Sequence, residues 1–138
     1  MSYAGDITPE QAWDLLHSHS DAVLVDVRTE AEWRFVGVPD TSSVGRPTVL
    51  VEWADSAGAR NETFLEQLTH ALGDHDPDAP VVFLCRSGQR SRGAAITATS
   101  AGYRTCYNVL DGFEGPLDEF GHRGGAGWRR LGLPWRQS

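Results

Sequence analysis

The chain predicts an α/β fold: a doubly wound, mainly parallel sheet with helices on both faces, plus a C-terminal strap. Three observations point there. Residues 22–25, 49–51 and 81–84 are unbroken apolar runs, which suit strands covered on both faces better than half-exposed ones. Helical signals stand between these runs, so strand, helix and strand alternate as in right-handed crossovers. One helical segment is lined with alanines, and so small a face can lie close against a sheet.

Each element has its own signal. Thr8, Pro9, Glu10 and Gln11 combine a capping-box pattern with proline at the first helical position, so a helix should start there and run to about His17. It would bury Trp13 and Leu16. Asn61 can cap a second helix in which Phe64, Leu68 and Leu72 recur every four residues, with Gly73 as the stop. The alanine-lined helix spans 91–101, turns Ala94, Ala95, Ala98 and Ala101 inward, and ends at Gly102. A strand over 105–109 follows and contains Cys106. No repeat, low-complexity tract or long linker divides the chain.

Composition narrows the chemistry. The 138 residues hold twelve arginines and no lysine, against 19 acidic residues, for a net charge of -7. Without lysine there is no Schiff-base or general-base amine and no Walker A lysine. The acidic balance argues against nucleic acid or an anionic membrane as partner. Two cysteines, Cys85 and Cys106, are too few for a thiolate zinc site and too far apart for C-x-x-C. His17 and His19 diverge at a helix end, so no metal and no organic cofactor are expected. With no signal-peptide pattern and no membrane-length apolar run, a reducing cytoplasmic setting is expected. Free thiols persist there.

Charge is unevenly spread. Residues 121–138 carry Arg123, Arg129, Arg130 and Arg136 with no acid, whereas the first 120 residues sum to -11. Trp128, Leu131, Leu133 and Trp135 are candidate anchors in this tail. The expected organisation is a domain over 1–120 and a basic, aromatic extension over 121–138 that packs on the same domain. A partner-docking tail is the competing reading.

The segment that carries chemistry is Cys85-Arg86-Ser87-Gly88-Gln89-Arg90-Ser91, between an apolar run and the alanine-lined helix. Ligands of open α/β sheets bind beyond the carboxyl ends of the strands. Backbone N–H groups of such a loop can form an anion nest, and a helix N-terminus adds positive potential. Arg86 and Arg90 add full charges. Each of these favours thiolate over thiol. Gly88 permits a turn that a β-carbon would hinder, and Ser91 is placed to cap the helix.

Over roughly residues 7–115 the sequence resembles a single-domain rhodanese, a sulfurtransferase. The C-R-S-G-x-R-S loop carries the resemblance. Leu24-Val25-Asp26-Val27-Arg28, then Glu30, Glu32 and Trp33, and Tyr107-Asn108-Val109-Leu110-Asp111-Gly112 support it. By that resemblance Cys85 takes a sulfane sulfur from a small anionic donor such as thiosulfate and holds it as a persulfide. The sulfur then passes to cyanide, a thiol or a protein acceptor, and residues 86–90 form the cradle. Arg86 would steer the anion; Arg90 would either do the same or turn inward to brace the loop. Asp26 and Arg28 fit a supporting network with Glu32 rather than catalysis. A monomer or weak dimer is expected. The pattern departs from the family where Val36-Gly37-Val38-Pro39 stands in place of a common G-H-I-x-G-A.

Two other functions compete. A cysteine-dependent phosphatase or arsenate reductase uses C-x5-R, yet the sixth residue after Cys85 is Ser91, and the arginines stand fifth and seventh. A non-enzymatic anion-sensing or partner-binding module is the other. Cys106, inside a strand, reads as a buried, inert thiol.

Overall fold

The computed structural model describes residues 3–137. In chain order the elements are β1 (Gly5–Ile7), α1 (Pro9–Ser18), β2 (Val23–Asp26), α2 (Glu30–Phe35), β3 (Val38–Pro39), β4 (Val49–Leu50), α3 (Phe64–Leu72), β5 (Val81–Leu84), α4 (Gln89–Ser100), β6 (Cys106–Val109) and β7 (Trp135–Arg136). Five strands form one sheet in the order β1-β6-β5-β2-β4, and every neighbouring pair is parallel. The expected α/β architecture is therefore the one observed. β5 lies at the centre, where burial on both faces explains its uninterrupted Val-Val-Phe-Leu sequence.

The two faces have different covers. On one, Phe64 and Leu68 of α3 and Ala94, Ala95 and Ala98 of α4 pack on Val25, Val81, Phe83 and Cys106. On the other, Ala12 and Leu16 of α1 pack on Leu24, Val82, Leu84 and Val109, and Phe113 and Trp128 complete the layer. The alternation within β2 and β5 sends successive side chains into opposite cores.

The tail supplies part of the second core. Trp128 is fully buried, meets Trp13 edge-to-face at 5.7 Å, and donates its indole N–H to the Pro134 carbonyl at 2.8 Å. β7 pairs antiparallel with β3. Among the described residues no tail arginine forms an ion pair with a carboxylate. Indole burial and backbone pairing hold the tail, and its arginines add contacts to carbonyls and rings, Arg123 to the Gly115 carbonyl at 2.9 Å and Arg129 over the Phe113 ring at 5.8 Å.

Several local expectations shift. Thr8 caps α1 through a complete capping box, but Trp13 is only half-buried. Thr63 stands at the N-cap position of α3 but makes no side-chain capping bond; the Asn61 side chain, two residues earlier than that position, accepts from the Thr63 N–H at 3.1 Å and holds the preceding turn. α4 begins at Gln89, two residues before Ser91, because Gly88 takes up the sharp turn. Ala101 is exposed, since the helix is already ending there. β1, β3 and β7 have no counterpart among the expected strands. No helix among the described residues is long and apolar enough to cross a membrane.

Candidate active site

The registers Asp26–Leu84 and Phe83–Asn108 bring the carboxyl ends of β2, β5 and β6 to one edge. Cys85 follows β5 directly at that edge. The chain then turns through Arg86, Ser87 and Gly88 into α4. Gly88 has φ of 106°, a left-handed value that L-residues rarely adopt. That turn aims its N–H at Cys85 Sγ, 3.2 Å away. Ser91 Oγ also lies 3.2 Å from Sγ. The sulfur thus meets one backbone N–H and one hydroxyl, a smaller set than the ring of N–H donors the loop suggests. Cys85 is 1% exposed, at the floor of the loop.

Ser91 does not cap the helix. It sits in the first turn of α4, fully buried, with Oγ 2.5 Å from Asn108 Oδ1 on β6. The capping preference of serine was outweighed by the glycine three residues earlier, which can turn the chain without help from a side chain. Asn108 in turn donates from Nδ2 to Asp6 Oδ1 at 3.0 Å and to the Gly88 carbonyl at 3.1 Å. Asp6 and Asn108 were absent from the expected site. A signal existed: asparagine is depleted in strands, and Asn108 interrupts an otherwise apolar one at the functional edge.

Of the other loop residues, Arg86 and Gln89 are exposed, and Ser87 and Gly88 are half-buried. The loop is tied from behind by the turn after β6. The Cys85 carbonyl accepts from the Phe113 N–H at 2.8 Å, and the Arg86 carbonyl accepts from Glu114 and Gly115 at 3.0 and 3.2 Å. This approach is so close that a β-carbon on Gly112 would stand 2.7 Å from the Arg86 carbonyl carbon. Gly112 is therefore the second glycine the site requires.

Arg90 points to Glu32, not outward. Its two terminal nitrogens donate to the two Glu32 oxygens at 2.8 and 3.0 Å, joining α4 to α2. Burial pushes the Glu32 carboxyl up, but the Arg90 hydrogen bond and charge, with the Thr29 backbone, outweigh it and hold it below the usual range. For Arg90 burial opposes the charge, and Glu32, with a smaller contribution from Cys85, raises the guanidinium further. Asp26 and Arg28 form a separate pair, both fully buried, with Nη2 donating to Asp26 Oδ2 at 2.6 Å and to the Gly37 carbonyl at 2.7 Å. The Arg28 guanidinium lies 4.3 Å from the Phe113 ring centre. The expected network of Asp26, Arg28 and Glu32 is thus built of two hydrogen-bonded pairs, Arg28 with Asp26 and Arg90 with Glu32, joined by a weaker charge interaction between Arg28 and Glu32. Among the described residues no three His, Cys, Asp or Glu side chains gather where a metal ion would sit.

A family model for the rhodanese-like domain matches residues 8–118. The chain belongs to the rhodanese-like family. It is 37% identical to an uncharacterized protein of Rickettsia conorii over 131 residues, 95% of this chain and 96% of that one. It is 30% identical to the thiosulfate sulfurtransferase GlpE of Actinobacillus succinogenes, covering 94% of this chain and 87% of the relative. Among solved structures, Rv0390 from M. tuberculosis matches with TM-score 0.91 and 64% identity, over 99% of this chain and all of that one. A polysulfide-sulfur transferase homodimer from Wolinella succinogenes matches with TM-score 0.61 and 28% identity, over 96% and 78% of the two chains. Within this rhodanese-like chain the family match ends before the tail, so Trp128 and β7 lie outside it.

Proposed function

We propose that the protein is a persulfide-forming sulfurtransferase with Cys85 as the nucleophile. The observation that carries the reading is the Cys85 sulfur at the carboxyl end of the central strand, met by the Gly88 N–H and the Ser91 hydroxyl at the start of α4. The Gly88 N–H and the N-terminus of α4 place positive potential at that sulfur. Kinship with GlpE thiosulfate sulfurtransferases and with a polysulfide-sulfur transferase supports the same chemistry.

In the first half-reaction the Cys85 thiolate attacks the outer sulfur of a thiosulfate-like donor. The sulfur–sulfur bond of the donor breaks, and sulfite leaves with the bonding pair. In the second, a thiolate, cyanide or a protein cysteine attacks the outer persulfide sulfur, and the Cys85 thiolate is restored. Exposed Arg86 steers the anionic donor. Arg90, bound to Glu32, braces the loop. Ser87, Gly88 and Gln89 complete the cradle, and Asp26 and Arg28 hold the end of β2 beneath it. The site lies at the floor of the loop, which suits a slim terminal sulfur.

Thiocyanate formation from thiosulfate and cyanide, with phosphate release from an aryl phosphate as the control, tests this reading. Turnover that disappears in Cys85→Ser supports it. Phosphate release without thiocyanate would replace it with a phosphatase, although the residue six beyond Cys85 is Ser91 and Arg90 is engaged by Glu32. Neither product, with specific binding of the anion, would favour a sensing module.

A further inference from the structure

The hydrogen bonds behind Cys85 hold more than a cradle. Ser91 has one hydroxyl proton and two neighbours, Cys85 Sγ at 3.2 Å and Asn108 Oδ1 at 2.5 Å. It donates to one of them at a time. The Asn108 amide decides which. Its Nδ2 faces two acceptors, Asp6 Oδ1 at 3.0 Å and the Gly88 carbonyl at 3.1 Å. Turned over, the amide would set its own oxygen against both, so Oδ1 is fixed toward Ser91 and takes its proton. Ser91 then presents lone pairs to the sulfur, an arrangement that suits a neutral thiol donating to Oγ. An anionic sulfur needs the reverse. Ser91 must rotate its proton to Sγ, and the Asn108 oxygen, on a residue 2% exposed, is left without a donor.

We propose that Asp6 and Asn108 are positioning residues which, through the direction of the Ser91 hydroxyl, set the balance between the neutral and anionic forms of the Cys85 sulfur. This rests on the reading of Cys85 as the reactive sulfur. Asp6 shares the lock with the Gly88 carbonyl and adds a charge to it. It is exposed on β1, Tyr3 Oη donates to the same Oδ1 at 2.6 Å, and Arg92 of α4 contributes a favourable charge. A carboxylate accepts and does not donate, so the amide keeps one orientation while Asp6 is ionised. Its negative charge also polarises Asn108 and strengthens the pull on the Ser91 proton. The same asparagine binds the carbonyl of Gly88, whose N–H donates to the sulfur. Both groups beside Sγ are therefore governed from β6, and one exposed residue on β1 reinforces the direction that the Gly88 carbonyl also fixes.

The test compares Asp6→Asn and Asn108→Leu with the natural protein, each also in a Ser91→Ala background. Two quantities are read at neutral pH: thiolate absorbance, and the rate of Cys85 alkylation by iodoacetamide with the modified peptide identified by mass spectrometry. Asn108→Leu removes the competing acceptor and releases the Ser91 proton to the sulfur, and one hydrogen bond regained corresponds to about a five-fold faster alkylation. Asp6→Asn removes the polarising charge but leaves the Gly88 carbonyl on Nδ2, so it gives a smaller increase in the same direction. In the Ser91→Ala background the difference should vanish, a coupling that a merely structural residue would not show. Asp6 is exposed, so Asp6→Asn keeps the test alive if Asn108→Leu does not fold. Unchanged alkylation in Asp6→Asn, or an increase that persists without Ser91, would overturn the proposal. Neither readout requires sulfur transfer. Failure to form a persulfide would therefore count against the proposed function alone.

Discussion

The two cysteines are equally buried, Cys85 at 1% and Cys106 at 0% exposure, yet their surroundings have opposite character. Cys85 stands where a strand ends, and a backbone N–H and a hydroxyl turn toward its sulfur. Cys106 stands inside β6, and its own thiol donates to the Tyr103 carbonyl at 3.3 Å. Burial pushes the Cys106 thiol up to about 11, only slightly countered by Thr99. Burial alone does not make a thiol inert or reactive. What decides is whether a donor is fixed on the sulfur, as the Gly88 N–H is on Cys85, or the thiol itself donates, as in Cys106.

The largest way to break that contrast is to delete each sulfur. Cys85→Ser should reduce thiocyanate formation to background, while Cys106→Ala should leave the rate within about two-fold, as expected for a small change in a packed strand. Equal loss in both would merge the two roles.

Selectivity of alkylation sharpens the contrast next. With its thiol near 11, Cys106 is thiolate to only about one part in ten thousand at pH 7. Peptide mapping after brief iodoacetamide treatment should find Cys85 modified at least about 100-fold faster, because the thiolate is the reacting species. Comparable labelling of the two in the folded protein would contradict the assignment.

Alkaline stability carries a smaller effect. In the fold Cys106 keeps its proton to about 11, against an ordinary value of 9.0, so the unfolded chain releases it first. Stability therefore falls as pH rises through that window, by at most about 3 kcal/mol. Denaturant titrations of Cys106→Ala should show a flatter decline between those limits.

The smallest effect lies beside Cys85. Glu32 is held below its usual range, so its contribution is present above the unfolded carboxyl value of about 4.3 and lost as pH falls through the folded one. The pair with Arg90 is part-exposed, and solvent screening limits it to about 1 kcal/mol or less. Glu32→Gln should remove that much of the acid-side slope and leave Cys106 alkylation unchanged.

The central strands were legible because burial on both faces writes an unbroken apolar run, as in β5. β1, β3 and β7 were not, because Gly5-Asp6-Ile7, Val38-Pro39 and Trp135-Arg136 are two or three residues long and lie at edges, where partners rather than composition make the strand. The cysteine loop was legible as a motif. The direction of its side chains was not: Arg90 had equal claims to face outward or inward until α2 brought Glu32 within 2.8 Å, across 58 positions of chain. Ser91 departs from its local preference for a related reason. A local preference for capping competed with a glycine turn at Gly88 and a distant partner, Asn108, and the latter two prevailed. Local periodicity shows in a sequence, whereas contacts between distant segments do not.

The most direct measurement is the mass of the protein after incubation with thiosulfate and removal of excess donor. The account predicts an increase of one sulfur atom, located on the peptide that contains Cys85 and released by a thiol acceptor. An unchanged mass, or added sulfur located on Cys106, would contradict it.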